Sequence, residues 1–211
     1  MKAQSPVGTI LKNEVLEKNP KNSITIIGID PGLQNLGIGI IQLATNKKIK
    51  TQEIPITKKR SKTYYTPSEI AKCIHGYSCM TIKLKQRELD ERLYYIYEQI
   101  CIIFEEHQPT LVIVEDSFVG INKNSALKLG LARGCILTAL GKYKIAHETI
   151  AAKQIKMEVM NKGDAKKEDI YALFEKILPK WSKTSLDSSD ALAGAMCGIK
   201  ILQIRQNKES N

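Results

Sequence analysis

The chain has 211 residues, enough for one domain with a full core. Its 32 Lys plus Arg against 22 Asp plus Glu give a formal charge of +10, which points to a polyanionic partner such as nucleic acid, with a basic but ordinary protein as the equal alternative on charge alone. No apolar run approaches the roughly 18 residues that a membrane span needs, and no apolar segment near Met1 reads as a secretory signal.

Residues 1–22 read as a polar, poorly ordered leader. Ile24 to Asp30 is an apolar run with strand character, turned by Pro31-Gly32. Gly37–Leu43 and Ile49–Ile56 read as two further strands joined by Thr45-Asn46-Lys47-Lys48, so the domain opens as an antiparallel meander. Residues 57–82 read as an insertion. The stretch TKKRSK places four basic side chains in six positions and reads as a surface loop, with an extra phosphate contact as the alternative. Within the insertion, Thr66-Pro67-Ser68-Glu69 has the form of a capping box with Pro at the first helical position, and Gly76 is the candidate stop.

Leu89, Leu93, Ile96, Ile100 and Ile103 recur at helical spacing, predicting a long amphipathic helix over about 83–106 that ends at Gln108-Pro109. Leu111–Val114 is a continuous apolar run of the kind found in a strand covered on both faces, and Glu115 follows it directly. A helix rich in small residues is predicted over 123–140, then a strand near 144–147, helices near 150–160 and 165–178, and a last helix over 186–203. This order fits a layered α/β domain with a mixed sheet over 23–205, followed by a polar tail at 206–211.

The five cysteines are scattered, which points to free thiols in a reducing cytoplasm. Cys73, His75 and Cys79 match no common zinc spacing and lack a fourth ligand.

Four carboxylates carry the chemistry. Asp30 ends the first strand, Glu115 ends the central one, and Asp187 and Asp190 lie three apart at the start of the last helix, on one face. Taken singly, each has an ordinary reading. Asp30 before Pro-Gly is a turn aspartate, Glu115 is a loop residue, and Asp187 and Asp190 favour the helix dipole, with Ser185 or Asp187 as the cap. Their co-occurrence at the edges of apolar elements points elsewhere. Two carboxylates ~5 Å apart repel by about 3 kcal/mol at an effective dielectric of 20. A cluster of four therefore needs protonation or a cation, and oxygen ligands select Mg²⁺ or Mn²⁺. Two such ions are the common apparatus for in-line attack on a phosphodiester.

The segments GIDPGLQNLGIGII (28–41), VIVEDSFVGINKNSALKLGLARG (112–134), AAKQIKMEVMNKGDAKKEDI (151–170) and LDSSDALAGAM (186–196) resemble the RuvC-type Holliday junction resolvases, of the RNase H-like fold. The resemblance covers about residues 23–56 and 84–204, and its specific part is the block that begins at Glu115. It implies a five-stranded mixed sheet, three antiparallel strands then two parallel, flanked by helices. It also implies a homodimeric, Mg²⁺-dependent endonuclease that makes paired symmetric nicks in four-way DNA junctions during recombination and repair. Two ions per site, Mn²⁺ as a substitute, and a branch-migration helicase partner of the RuvA and RuvB type are part of the same expectation.

Asp30, Glu115, Asp187 and Asp190 match the family's catalytic, metal-binding acids. Phe118 matches an aromatic that inserts at the junction, with a core residue as its ordinary reading. Lys156 and Lys167 match basic residues near the scissile phosphate, within a stretch that also holds Lys153, Lys162 and Lys166. Arg133 falls in the specific block and reads as structural. The leader, the insertion at 57–82 and Asn161, where the family commonly has glycine, depart from the pattern. Two other readings remain: a junction-binding protein without cleavage, and an RNase H-like nuclease for another branched or RNA-containing substrate. An actin-like phosphotransferase needs a second phosphate loop and a longer chain.

Overall fold

Alternation along the strands decides which layer each side chain meets. The computed structural model describes residues 10–16, 23–44, 67–85, 87–116, 123–181 and 185–209. Six strands, β1 (Ile10–Val15), β2 (Ser23–Asp30), β3 (Asn35–Ala44), β4 (Ile74–Lys83), β5 (Leu111–Asp116) and β6 (His147–Ala151), form one sheet in the order β1-β4-β3-β2-β5-β6. β1, β4, β3 and β2 pair antiparallel, while β5 joins β2, and β6 joins β5, in parallel. The expected mixed sheet is present, with one strand more at its edge.

The helices are α1 (Pro67–Ala71), α2 (Leu89–His107), α3 (Lys123–Tyr143), α4 (Ala152–Met160), α5 (Lys167–Ile177) and α6 (Leu186–Glu209). In β2, Ile27 and Ile29 face a core completed by Ile96, Ile100 and Phe104 of α2 and Ile136 and Leu140 of α3. Ile26, on the other face, joins Leu111, Ile113, Ile155, Phe174 and Leu192 in a second core under α4, α5 and α6. No helix among the described residues is long and apolar enough to cross a membrane.

Helix α6 lies almost on the backbone of β2 and β3. A Cβ on Gly28 would stand 1.9 Å from the Ala191 carbonyl oxygen and 2.6 Å from the Ala195 nitrogen. One on Gly39 would meet Leu192 Cα at 2.3 Å, and one on Gly37 would meet the Asp187 carbonyl oxygen at 2.4 Å. Gly28 and Gly39 are register partners, as are Asp30 and Gly37, so the sheet offers a bare track along which the helix runs. Ala191 and Ala195 complete the close approach from the helix side.

Four expectations change. The strand beside β3 is Ile74–Lys83, inside the segment read as an insertion. Its Ser78 and Thr81 are polar yet buried, which hid its strand character, and Gly76 lies within it rather than closing a helix. The strand expected at 49–56, the 45–48 turn, TKKRSK and Thr66 lie outside the described residues, although Pro67 does open α1 as expected. Second, Ile10–Val15 of the supposed leader pairs with β4 as an edge strand, since the free edge of β4 has backbone groups to satisfy. Third, the strand placed near 144–147 runs from His147 to Ala151, because Lys144 takes a left-handed turn (φ 53°) after α3. The last helix also continues to Glu209, into the presumed tail.

Gly28→Ala should therefore cost about 3 kcal/mol or more in urea denaturation, because backbone rather than a pliable side chain fills the space. A cost under ~1 kcal/mol would mean that α6 shifts easily.

Candidate active site

Asp30 and Glu115 reach the same place through strand geometry. The last parallel pair of β2 and β5 is Ile29–Val114, so the two carboxylates follow one residue later on adjacent strands. Alternation turns both toward the α6 face, the side of Ile26 and Ile113. Asp187 and Asp190 enter from the first turns of α6, where the positive end of the helix dipole favours their charge. Ser185 caps that helix by accepting the Ser188 N–H at 3.1 Å, and Thr81 of β4 bonds the Ser185 hydroxyl. The buried hydroxyl of β4 thereby fixes where α6 begins.

Lys167, at the first position of α5, sits among these acids. Its Nζ is 2.9 Å from Asp187 Oδ1, 2.9 Å from Asp190 Oδ2 and 3.9 Å from Asp30 Oδ2. Asp169 Oδ2 accepts the Lys166 N–H at 2.9 Å and fixes the start of that helix. Asn35, just past the Pro-Gly turn, donates from Nδ2 to Asp187 Oδ2 at 3.0 Å. Asp190 is nearly sealed, with a side chain 7% exposed, and its Oδ1 is buried with no hydrogen-bond partner among the described residues.

The electrostatics follow from this crowding. Burial, then the neighbouring Glu115, pushes the Asp30 carboxyl well above the usual carboxylate range, with Lys167 working the other way. Burial and Asp190 raise Glu115 to about 7, opposed by Lys167 and Lys156. Burial works against the charge on Lys167, but its hydrogen bonds to Asp190 and Asp187 prevail and hold it above the ordinary lysine range. Among the described residues no three acids, histidines or cysteines stand close enough, as placed, to grip one ion. The donor set nevertheless suits a hard divalent cation. It is all oxygen, one buried carboxylate oxygen has no donor, and two carboxyls are short of positive charge.

Lys156, half-buried on α4, comes near enough to Glu115 to favour its charge, and Lys153, Lys162 and Lys166 are exposed. Phe118 lies outside the described residues. Asn161 ends α4 in the left-handed conformation (φ 55°, ψ 22°), a position that takes glycine first and asparagine next, which accounts for the departure there. Arg133 faces away from the four acids. It donates to Asp116 Oδ1 at 2.7 Å and to Thr149 Oγ1 at 3.2 Å, tying α3 to β5 and β6. The sequence reading assigned no role to Asn35, Thr81, Gly28, Gly37 or Gly39. Glycines two apart in β3, opposite an aspartate and a glycine in β2, were the available signal.

In EDTA, stability should fall as pH rises from about 4.5 to 7, because a carboxyl raised in the folded state binds its proton more tightly there than when unfolded. Glu115→Gln should flatten that slope, by at most about 3 kcal/mol across the window. Equal slopes for parent and variant in thermal or urea melts would show that Glu115 is not strained.

A family model, crossover junction endodeoxyribonuclease RuvC, matches residues 68–198. The chain is 34% identical over 172 residues to a crossover junction endodeoxyribonuclease RuvC of Acinetobacter baumannii, covering 82% of this chain and 81% of that one. It is 30% identical over 185 residues to the same enzyme of Hyphomonas neptunium, covering 88% and 96%. Among solved structures, Thermus thermophilus RuvC in complex with a Holliday junction substrate superposes with a TM-score of 0.60 at 22% identity, covering 86% of this chain and 96% of that one. The fold is thus RNase H-like, and the chain belongs to the RuvC family of crossover junction endodeoxyribonucleases.

Proposed function

We propose that this protein resolves Holliday junctions, nicking two opposing strands of a four-way DNA junction by metal-assisted phosphodiester hydrolysis. The observation that carries this reading is the convergence of Asp30, Asp187 and Asp190 on Lys167, with Glu115 close enough to Asp30 and Asp190 to raise its own affinity for a proton. Asp30, Glu115, Asp187 and Asp190 would hold Mg²⁺, two ions in the full complement, with Mn²⁺ as a substitute. Bound there, such ions polarise the scissile phosphate and acidify an attacking water.

The chain's own residues do the remaining work. The nearly sealed Asp190 and the hydrogen-bonded Asp187 hold their carboxylates in fixed orientation, so little reorganisation accompanies reaction. Lys156 and Lys167 would contact backbone phosphate and stabilise developing charge, helped by the exposed lysines on α4 and in the connection to α5. Phe118, three residues past Glu115 in sequence, suits insertion at the crossover, where stacking on an unpaired base yields ~1–3 kcal/mol.

A homodimer supplies the second nick, and α3 offers the face for it. Leu127 and Leu131 are 66% and 39% exposed, and Leu137 is 37% exposed. Among the described residues a Cβ on Gly130, Gly134 or Gly141 would meet nothing within 4 Å, so their packing requires none of these glycines. A second copy of α3 gives them a reason. The enzyme is taken to work in the cytoplasm beside a branch-migration helicase of the RuvA and RuvB type.

On a synthetic four-way junction in Mg²⁺, the parent should make paired symmetric nicks, and Asp190→Asn should lose about 10³-fold or more of that rate. In Ca²⁺ both should bind the junction in preference to a linear duplex. Selective binding with no cutting by the parent would make this a binding protein, and equal cutting of linear or RNA-containing duplexes would overturn the substrate. Separately, Gly134→Leu should convert the dimer to monomer in sedimentation while preserving the melting temperature of the protomer; an unchanged dimer would place the interface elsewhere.

A further inference from the structure

Lys167 is positioned for two tasks that one ammonium cannot perform together. An ammonium has three N–H donors. Here its nitrogen bonds Asp187 and Asp190 at 2.9 Å each and pairs electrostatically with Asp30 at 3.9 Å, so three carboxylates surround it and little of its charge is left for substrate phosphate. The same oxygens are the ones a divalent ion would use, and Mg²⁺ would draw them to about 2.0–2.1 Å from itself. Two cations cannot share that space. The side chain has somewhere to go: it is 41% exposed, and its flexible four-carbon stem starts at the edge of α5. Asn35 donates to Asp187 Oδ2, not to the Oδ1 that Lys167 holds, so release of Lys167 would leave this second anchor of the carboxylate in place.

We propose that Lys167 is an internal counter-ion that a divalent metal displaces. Before loading, its ammonium gathers Asp30, Asp187 and Asp190 and offsets their repulsion. Loading releases it from the carboxylates and frees it for the DNA backbone. Lys167 is thus a positioning residue first and a phosphate ligand second. The inference rests on the metal-dependent nuclease reading and adds an order of events to it.

The test uses the full chain without DNA. The parent is treated with an amine-acylating reagent in EDTA and again in saturating Mn²⁺, and the Lys167 peptide is quantified by mass spectrometry. Lys153, exposed in the structure, serves as the internal reference. Lys167 should be shielded in EDTA and should react ~5-fold or more faster with Mn²⁺, since release from the carboxylates that surround its nitrogen leaves it open to the reagent. Lys167→Met should bind Mn²⁺ about 10-fold more tightly than the parent at pH 8.5, for want of the competing charge. Unchanged or reduced labelling in Mn²⁺, or Mn²⁺ affinity of the variant no better than the parent's, would overturn the proposal. Unmasking of Lys167 by Mn²⁺ in a protein that cuts no junction would support the counter-ion role while removing the resolvase reading.

Discussion

The absence of side chains along one track of the sheet is the constraint on which the site depends. Gly28, Gly37 and Gly39 let α6 approach until backbone nearly meets backbone. An ordinary helix–sheet interface keeps its layers about a side chain apart. At that distance Asp187 and Asp190 would stand several ångströms further from Asp30 and Glu115. The geometry of the carboxylate cluster is therefore set by what β2 and β3 omit, and the carboxylates themselves only fill positions that the bare track creates.

That close approach has an electrostatic consequence. Four acids brought together with little solvent are costly to ionise, and burial first, then mutual repulsion, raises the proton affinity of Asp30 and Glu115. The protein tolerates the arrangement because the four acids come from three separately anchored elements, β2, β5 and α6. Asp30 and Glu115 are fixed by parallel pairing of β2 and β5, and α6 is fixed by Ser185, Thr81 and the glycine track. Such anchoring resists the relaxation that would otherwise spread the acids apart, and a site under this strain gains most from a cation.

Much of this was visible in the sequence because it depends on local pattern. Asp30 and Glu115 terminate apolar runs, Asp187 and Asp190 share a helix face, and the α2 spacing is strongly periodic. What escaped depends on tertiary context. The strand Ile74–Lys83 carries Ser78 and Thr81, which read as loop residues until a neighbouring strand and Ser185 surround them. The pairing of Ile10–Val15 requires knowing that β4 has a free edge. Lys167 was picked out with Lys156 as a phosphate contact, but its place among the acids follows only from the meeting of α5 with α6. Asn161 looked like a departure because type was compared with type, whereas the left-handed backbone there admits both residues.

The two faces of the sheet carry different obligations. On the α6 side, successive residues of β5, Leu111, Ile113 and Glu115, pass from core to chemistry. On the opposite side, Val112 and Val114 lead to Asp116, which is neutralised by Arg133 of α3 rather than left for a metal. Adjacent acids on one strand thus have opposite fates, decided by alternation alone. Arg133 also couples α3 to the strand that carries Glu115. The helix proposed to face a second copy is in this way tied, through one ion pair, to the end of the strand that presents Glu115. Under the proposed dimer, two sites joined through such helices would hold a fixed separation, as the proposed paired nicking requires.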